Sequence, residues 1–355
     1  MARFFKYYYK LLILFGFLFN LLLAESWQNR ADCPIKVTPY STAACRVGKD
    51  VIYAWIGPST ETLVYRYNTK TNTWSNPIST GGKRRRGACI AWDSVLNRVH
   101  FIYVKLDETY SHKVFLVDSN IWRTLKPPPP PFKHSKKPIS LSKNDMVWVR
   151  YRDSSYLFAF SAPFEKDFYF LRYNVAKDSW TFAADPPRKI QPGAALCWSG
   201  DSFIYAFTGW SGKWFYRYCI PKDTWRRLAD VNITDDVNCG SLVYRKRANG
   251  DEIYAFTTRG KNWFRRYKVN KDSWDVRLQT PADYNEGSAL VIMPGDTIYA
   301  FRGGNNKTFW RYIPDFNDYS NEGKGLIAGF DALEKDEPES GIEDVQNPGW
   351  SNDGQ

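Results

Sequence analysis

The sequence predicts an all-β fold: a six-bladed β-propeller of four-stranded antiparallel blades. Three observations predict it. First, Arg-Tyr followed seven residues after the Tyr by an aromatic recurs at Arg66-Tyr67…Trp74, Arg172-Tyr173…Trp180, Arg217-Tyr218…Trp225, Arg266-Tyr267…Trp274 and Arg311-Tyr312…Tyr319, with a degenerate copy at Leu116-Val117…Trp122. Second, the closing aromatics recur at intervals of about 45 to 58 residues, a period that marks propellers and solenoids. Third, aromatics make up 17% of the 355 residues, Gly and Pro are frequent, and helix-forming runs are scarce.

Each unit divides into four strands. The first is usually opened by a small residue (Gly87-Ala88, Gly193-Ala194, Gly240-Ser241, Gly287-Ser288). The second is an apolar run such as Ile52-Tyr53-Ala54-Trp55, Ile204 to Phe207, Ile253 to Phe256 or Ile298 to Phe301. The third carries Arg-Tyr, and the fourth begins near the closing aromatic. Two residues before that aromatic stands an Asx at a turn: Asn72, Asn120, Asp178, Asp223, Asp272 and Asn317. Four such strands make one blade. A blade packs a neighbour on both faces, so its strands need not alternate apolar and polar, and rings fill the wedge between blades. The repeated Arg residues (66, 172, 217, 266, 311) are expected to meet a carboxylate or carbonyl of a neighbouring strand. The stretch 25–34 shares W-x-x-x-A-D with the outer strands at Trp180 and Trp225, through Trp27, Ala31 and Asp32. It is therefore expected to supply the outer strand of the last blade, hiding a sheet edge.

The ends of the chain read differently. Residues 1–24 join a basic start (Arg3, Lys6, Lys10) to an apolar run too short to span a bilayer, the pattern of a cleaved signal peptide. The protein is thus expected to be secreted, periplasmic or on the cell surface, as a monomer with no membrane span after signal removal. Residues 321–346 read as an acidic, disordered linker. Export permits disulfides, but the six cysteines show no metal spacing, and most are expected to be small buried residues. Of three histidines, His100 sits at a strand position otherwise apolar and is expected in the core. His112 and His134 read as loop residues. No metal set, nucleophile elbow or catalytic residue is marked, and no cofactor is called for.

Charge carries the functional expectation. The chain has a formal net charge of +12, and the acidic tail subtracts from that total, so residues 25–320 are more basic still. Loops joining second to third strands, and each blade to the next, emerge on one face of the ring. They hold the candidate binding residues Lys83, Arg84, Arg85, Arg86, Lys136, Lys137, Trp210, Lys213, Arg259, Lys261, Arg302 and Lys307. The opposite loops are closer to balanced, with Lys-Asp pairs at 177–178, 222–223 and 271–272. A basic face beside an exposed ring suits an acidic polymer. Export argues against nucleic acid.

These glycine-bounded four-strand units resemble Kelch repeats over residues 25–320. The double glycine of that family survives as Gly303-Gly304, while Gly209 and Gly260 stand singly. The resemblance implies a propeller that serves mostly as a binding platform, with a minority of enzymes such as galactose oxidase or neuraminate epimerases. The expectation is an exported, non-catalytic platform for a protein or an acidic polysaccharide of the envelope. The alternative is a propeller enzyme acting on a sugar, epimerase-like or oxidase-like, through channel-lining residues. Finally, "NPGWSNDGQ" (347–355) resembles the opening of a TolB-type propeller repeat, with Asn352 where that family has Pro. It is read as the possible start of a truncated second propeller repeat.

Overall fold

Apolar runs of four to eight residues separated by turn-formers leave the backbone one economical solution, the antiparallel hairpin. In a computed structural model, residues 24–314 are described, apart from 40–41, 58–62, 82–83, 106, 108, 130–144, 162–167 and 211. The signal segment, His134, the acidic linker and the C-terminal segment lie outside the described residues. The strands form six antiparallel sheets in chain order. Blade I comprises Ala43–Val47, Val51–Trp55, Leu63–Asn68 and Thr73–Trp74, with Ile78–Ser79 pairing back on the third strand. Blade II comprises Arg84–Asp93, Arg98–Lys105, Tyr110–Leu116 and Ile121–Leu125, and blade III Met146–Tyr151, Ser154–Ser161, Tyr169–Asn174 and Ser179–Ala183. Blade IV comprises Ala194–Trp198, Phe203–Thr208, Phe215–Cys219 and Thr224–Arg227, and blade V Ser241–Arg245, Glu252–Phe256, Arg265–Lys268 and Ser273–Val276. Blade VI comprises Ala289–Ile292, Ile298–Phe301 and Phe309–Ile313, and against its third strand lies Ser26–Asn29, with Trp27 opposite Tyr312.

The buried side chains form six hydrophobic clusters, one for each pair of adjacent blades. The cluster between blades IV and V, for instance, packs Phe207 and Phe215 against Tyr267 and Trp274. Phe215 meets both rings edge-on and Phe207 stacks on Trp274, and such pairs add to the burial of their area.

The Asx of the repeat acquires a physical meaning here. Asn72, Asn120, Asp178, Asp223 and Asp272 all take positive φ, between 44 and 58°, a conformation Asn and Asp tolerate better than other non-glycine residues. In four blades the side chain then accepts twice. Tyr218 Oη donates to Asp223 Oδ1, and so does the backbone N–H of Ala184 in the preceding blade, at 2.8 Å. Trp225 closes the clamp by donating from Nε1 to Ala184 O at 2.7 Å. Tyr267, Asp272 and Trp274 hold Ala229 in the same way, Tyr173, Asp178 and Trp180 hold Lys126, and Tyr67, Asn72 and Trp74 hold Ala31. At blades V and VI the turn residue is replaced by Glu25. It accepts from Tyr312 Oη and from Leu278 N, while Trp27 Nε1 donates to Leu278 O at 2.9 Å. The repeat is thus a blade-to-blade fastener. Blade II departs from it: Trp122 Nε1 is buried with no acceptor, and Lys113 Nζ instead donates to Gly81 O at 2.8 Å and to Thr80 O.

Several expectations need correction. The repeated Arg stands directly across from an aromatic of the second strand (Tyr53, Phe158, Tyr205, Tyr254, Tyr299), and its partner follows from that register. Arg217 packs over Phe203, with its guanidinium 4.3 Å from the ring centroid, and Arg311 donates to Gln28 Oε1. Among the described residues, carboxylates answer only Arg266 of this set, because blade V places Asp275 and Glu252 within reach. His112 lies in the strand Tyr110–Leu116 and not in a loop. It is fully buried beside His100, whose Nδ1 sits 3.0 Å from His112 Nε2. Lys126 O can only accept, so His112 Nδ1 donates to it (3.0 Å), His112 Nε2 accepts from His100 Nδ1–H, and both rings are neutral. Burial lowers both pKa values, that of His112 to about 4. Arg84, Arg85 and Arg86 also leave the loop. They begin the inner strand of blade II, because the eight-residue strand Arg98–Lys105 extends far enough to pair with them, with register shifts around Arg86. All six cysteines are free.

Candidate functional site

The face carrying the inter-blade loops is assembled by close backbone contacts. Gly209 has φ 86°, and a Cβ there would fall 2.2 Å from Gln191 O, so the blade IV loop lies directly on the connection from blade III. That contact brings Arg188 of the connection over the Trp214 ring, 3.9 Å from its centroid. Arg227, from the outer strand, approaches the same ring at 5.9 Å and pairs with Asp230. Phe215 is fully buried, so by strand alternation its neighbour Trp214 turns the other way. The same Trp-Phe step recurs in blade V. Phe264 is buried, and Trp263 lies between Lys261 at 5.2 Å and Arg265 at 5.3 Å. Between these clusters Arg259 reaches across to Trp210 at 5.5 Å and pairs with Glu286 at 2.9 Å. Trp210 is 39% exposed.

Three tryptophans on one face thus each meet one or two cations. A cation over a ring is held by the ring's quadrupole. Arg227 and Arg259 also donate to Asp230 and Glu286 and Arg265 is buried, so the exposed Arg188 is the most open of the guanidiniums. Of the residues expected from sequence, Trp210, Arg259 and Lys261 enter this arrangement, and Lys213 precedes Trp214 in its loop. Arg302 and Lys307 occupy the corresponding loop of blade VI, where Arg302 Nε donates to Asp283 O at 2.9 Å. Lys83, Lys136 and Lys137 lie outside the described residues. Arg188, a basic residue of the same loop face in the sequence, joins the arrangement, whereas Trp214, Trp263 and Arg265 were not expected from sequence. The repeated Trp-Phe dipeptide before the third strand was the signal for the two rings.

The second candidate is the central channel, a cavity of about 550 Å³ lined by the inner strands of all six blades. At the loop face it is tight: a Cβ on Gly240 would sit 2.1 Å from Gly193 O, so the inner strands of blades IV and V touch backbone to backbone. That contact is why small residues open these strands. Asp145 lies near this end, accepting from Met146 N at 2.8 Å and, across the blade boundary, from Leu196 N at 2.9 Å. Burial pushes its carboxyl up to about 6 despite those bonds. Glu286 and Asp296, which also line the channel, are paired with Arg259 and Arg245. The lining carboxylates described are therefore each committed to a structural partner. No group of three or more His, Cys, Asp or Glu side chains placed to hold a metal ion occurs among the described residues. No helix among them is long and apolar enough to cross a membrane.

No family model matches this chain, and no curated protein does. Solved structures do. One, described as the structure of YjhT, aligns with a TM-score of 0.57 at 13% identity, covering 80% of this chain and 95% of that one. Another, a fungal alcohol oxidase of the AA5 family in complex with copper, aligns with a TM-score of 0.55 at 11% identity, covering 82% of this chain and 76% of that one. At such identities the likeness speaks to the propeller architecture alone; the six blades are read from this chain's own sheets.

Proposed function

We propose that the protein is an exported binding platform that holds an anionic polysaccharide on the loop face of blades IV and V. The observation that supports it is the set of Trp–cation contacts on that face: Arg188 and Arg227 at Trp214, Arg259 at Trp210, and Lys261 and Arg265 at Trp263. A sugar ring stacks on an indole, and its acidic substituent takes the N–H edges beside it. Lys213, Arg302 and Lys307 add positive charge on loops of the same face and steer a polyanion toward it. The signal-like N-terminus supports export.

The test is retention on an immobilised sulfated polysaccharide. A triple variant, Arg188→Ser, Lys213→Ser and Lys261→Ser, should elute at lower salt and show a shallower salt dependence. A control variant on the balanced face, Lys177→Ser, Lys222→Ser and Lys271→Ser, should elute like the parent. Equal elution of the two triple variants would discard the assignment of this face.

A further inference from the structure

The channel mouth on the side opposite the loop face offers a second and different kind of site. It is formed where the inner strands end, before their hairpins turn back. Trp92, Trp148, Trp198 and Tyr244 stand there on four successive blades, and Arg46 stands on the blade beside Trp92. Trp148 and Trp198 meet edge to face, 5.7 Å apart at 90°. The Arg46 guanidinium lies 5.9 Å from the Trp92 centroid, exposed, with no carboxylate in ion-pair distance among the described residues.

The hydrogen-bonding inventory narrows what can bind. Trp92 Nε1 donates to Asn97 Oδ1, Trp198 Nε1 to Asp201 O and Tyr244 Oη to Asp251 Oδ2. Arg245 is held by Glu252 and Asp296. What remains is donors: the Arg46 guanidinium, the exposed Lys246 ammonium and the Trp148 indole N–H, which is buried without an acceptor. Two of these three are cations, and the carboxylate that lines this end, Asp296, is paired with Arg245, so the balance favours an anionic group over a neutral polyol. A flat ring bearing one anionic group needs only apolar walls and a donor, which is what the mouth provides. The cavity volume also falls within the range of about 300–1,000 Å³ typical of small-molecule sites.

We propose that this mouth binds a small aromatic carboxylate, with its ring among Trp92, Trp148 and Trp198 and its carboxylate on Arg46. The site is separate from the polysaccharide face, so each can stand or fall alone.

Calorimetric titration with 2-naphthoate, and with neutral 2-naphthamide, tests it on the full chain. The parent protein should bind naphthoate saturably and the amide about tenfold more weakly, as the loss of a charged hydrogen-bond partner implies. Arg46→Gln, an exposed change, should weaken naphthoate about tenfold and leave the amide unchanged. Trp198→Ala should weaken both, with thermal unfolding by circular dichroism confirming that the variant folds. If it does not fold, Trp148→Phe replaces it and should weaken naphthoate. The Arg188, Lys213 and Lys261 variant should bind naphthoate like the parent. No saturable binding at millimolar naphthoate would overturn the proposal, as would equal affinity for acid and amide or indifference to Arg46→Gln.

Discussion

If the Asx of each repeat is what fastens a blade to the one before it, removing one should cost more than its position on the surface implies. Asp223 is the sharpest case. Its side chain is exposed, yet its Oδ1 receives both the hydroxyl of the fully buried Tyr218 and the N–H of Ala184 in blade III. Asp223→Ala deletes two hydrogen bonds to a charged acceptor and strands a phenol hydroxyl. Such bonds contribute about 1.5–3 kcal/mol each when shielded, and partial exposure here lowers that toward about 1 each. The left-handed φ of 50° adds about 1 kcal/mol for alanine, for a total of about 3 kcal/mol. The fold supplies its own control, since blade I uses Asn72 in the same role, accepting from Tyr67 Oη at 2.7 Å and Ala31 N at 2.8 Å. Asp223→Asn should therefore lose less than about 1 kcal/mol, because an amide oxygen keeps both bonds in neutral form. Urea unfolding followed by circular dichroism gives the three stabilities. In a double-mutant cycle, Tyr218→Phe should cost about 1 kcal/mol in the parent and nearly nothing beside Asp223→Ala. Equal losses for the Ala and Asn variants, or additive losses for Tyr218→Phe and Asp223→Ala, would show that the clamp does not act as a unit.

Two further outcomes follow from buried charge. Glu252 is buried and receives Arg245, Arg247 and Arg266 at 3.1, 3.0 and 2.9 Å, so Glu252→Gln leaves three guanidiniums short of one carboxylate. A loss of about 3–5 kcal/mol is expected in urea unfolding, and a loss under about 1 kcal/mol would refute the network's role. For the histidine pair, both folded pKa values lie below the ordinary one, so the unfolded chain takes up protons first as pH falls from about 6.5. Stability then declines toward pH 4, by up to about 1.4 kcal/mol per pH unit for each ring. Asp145 opposes this: its folded pKa near 6 is raised, so its contribution grows as pH falls through 6. Imidazole nitrogen NMR at pH 5.5 should find both rings neutral and Asp145→Asn should steepen the acid loss; an imidazole titrating near 6.5 would contradict the burial.

Why the fold could be read from one chain is visible in the clamp. Tyr, Asx and Trp lie within eight residues of each other, so their spacing survives in sequence even though the carbonyl and N–H they hold belong to another blade. Strand count and blade count follow from that local signal. Partners set by register do not. Nothing in the dipeptide Arg-Tyr says that the outer strand will set Arg226 opposite Arg217 but Asp275 opposite Arg266. For the same reason His112 read as a loop residue: the lysines around it look exposed, whereas strand alternation turns the imidazole inward and lets Lys113 reach the carbonyls of blade I.

The binding faces lie between these extremes, and the difference is one of range. A basic excess on one set of loops is a sum over many residues and shows in sequence as composition. A site is a coincidence of a few side chains, and here the coincidences depend on backbone contacts that only glycine permits. Gly209 lets the blade III connection drop onto the blade IV loop, and Arg188 lands on Trp214 as a result. Gly193 and Gly240 bring the inner strands of blades IV and V together at one end of the channel, while Trp148 of blade III and Trp198 of blade IV meet toward the other. A Cβ at Gly209, 2.2 Å from Gln191 O, would force the connection away, and Arg188 would have to shift from the ring with it. The ring-forming repeat is therefore tolerant of sequence around it, but the loop-face site depends on a glycine, Gly209, whose neighbours in sequence say nothing about what it supports.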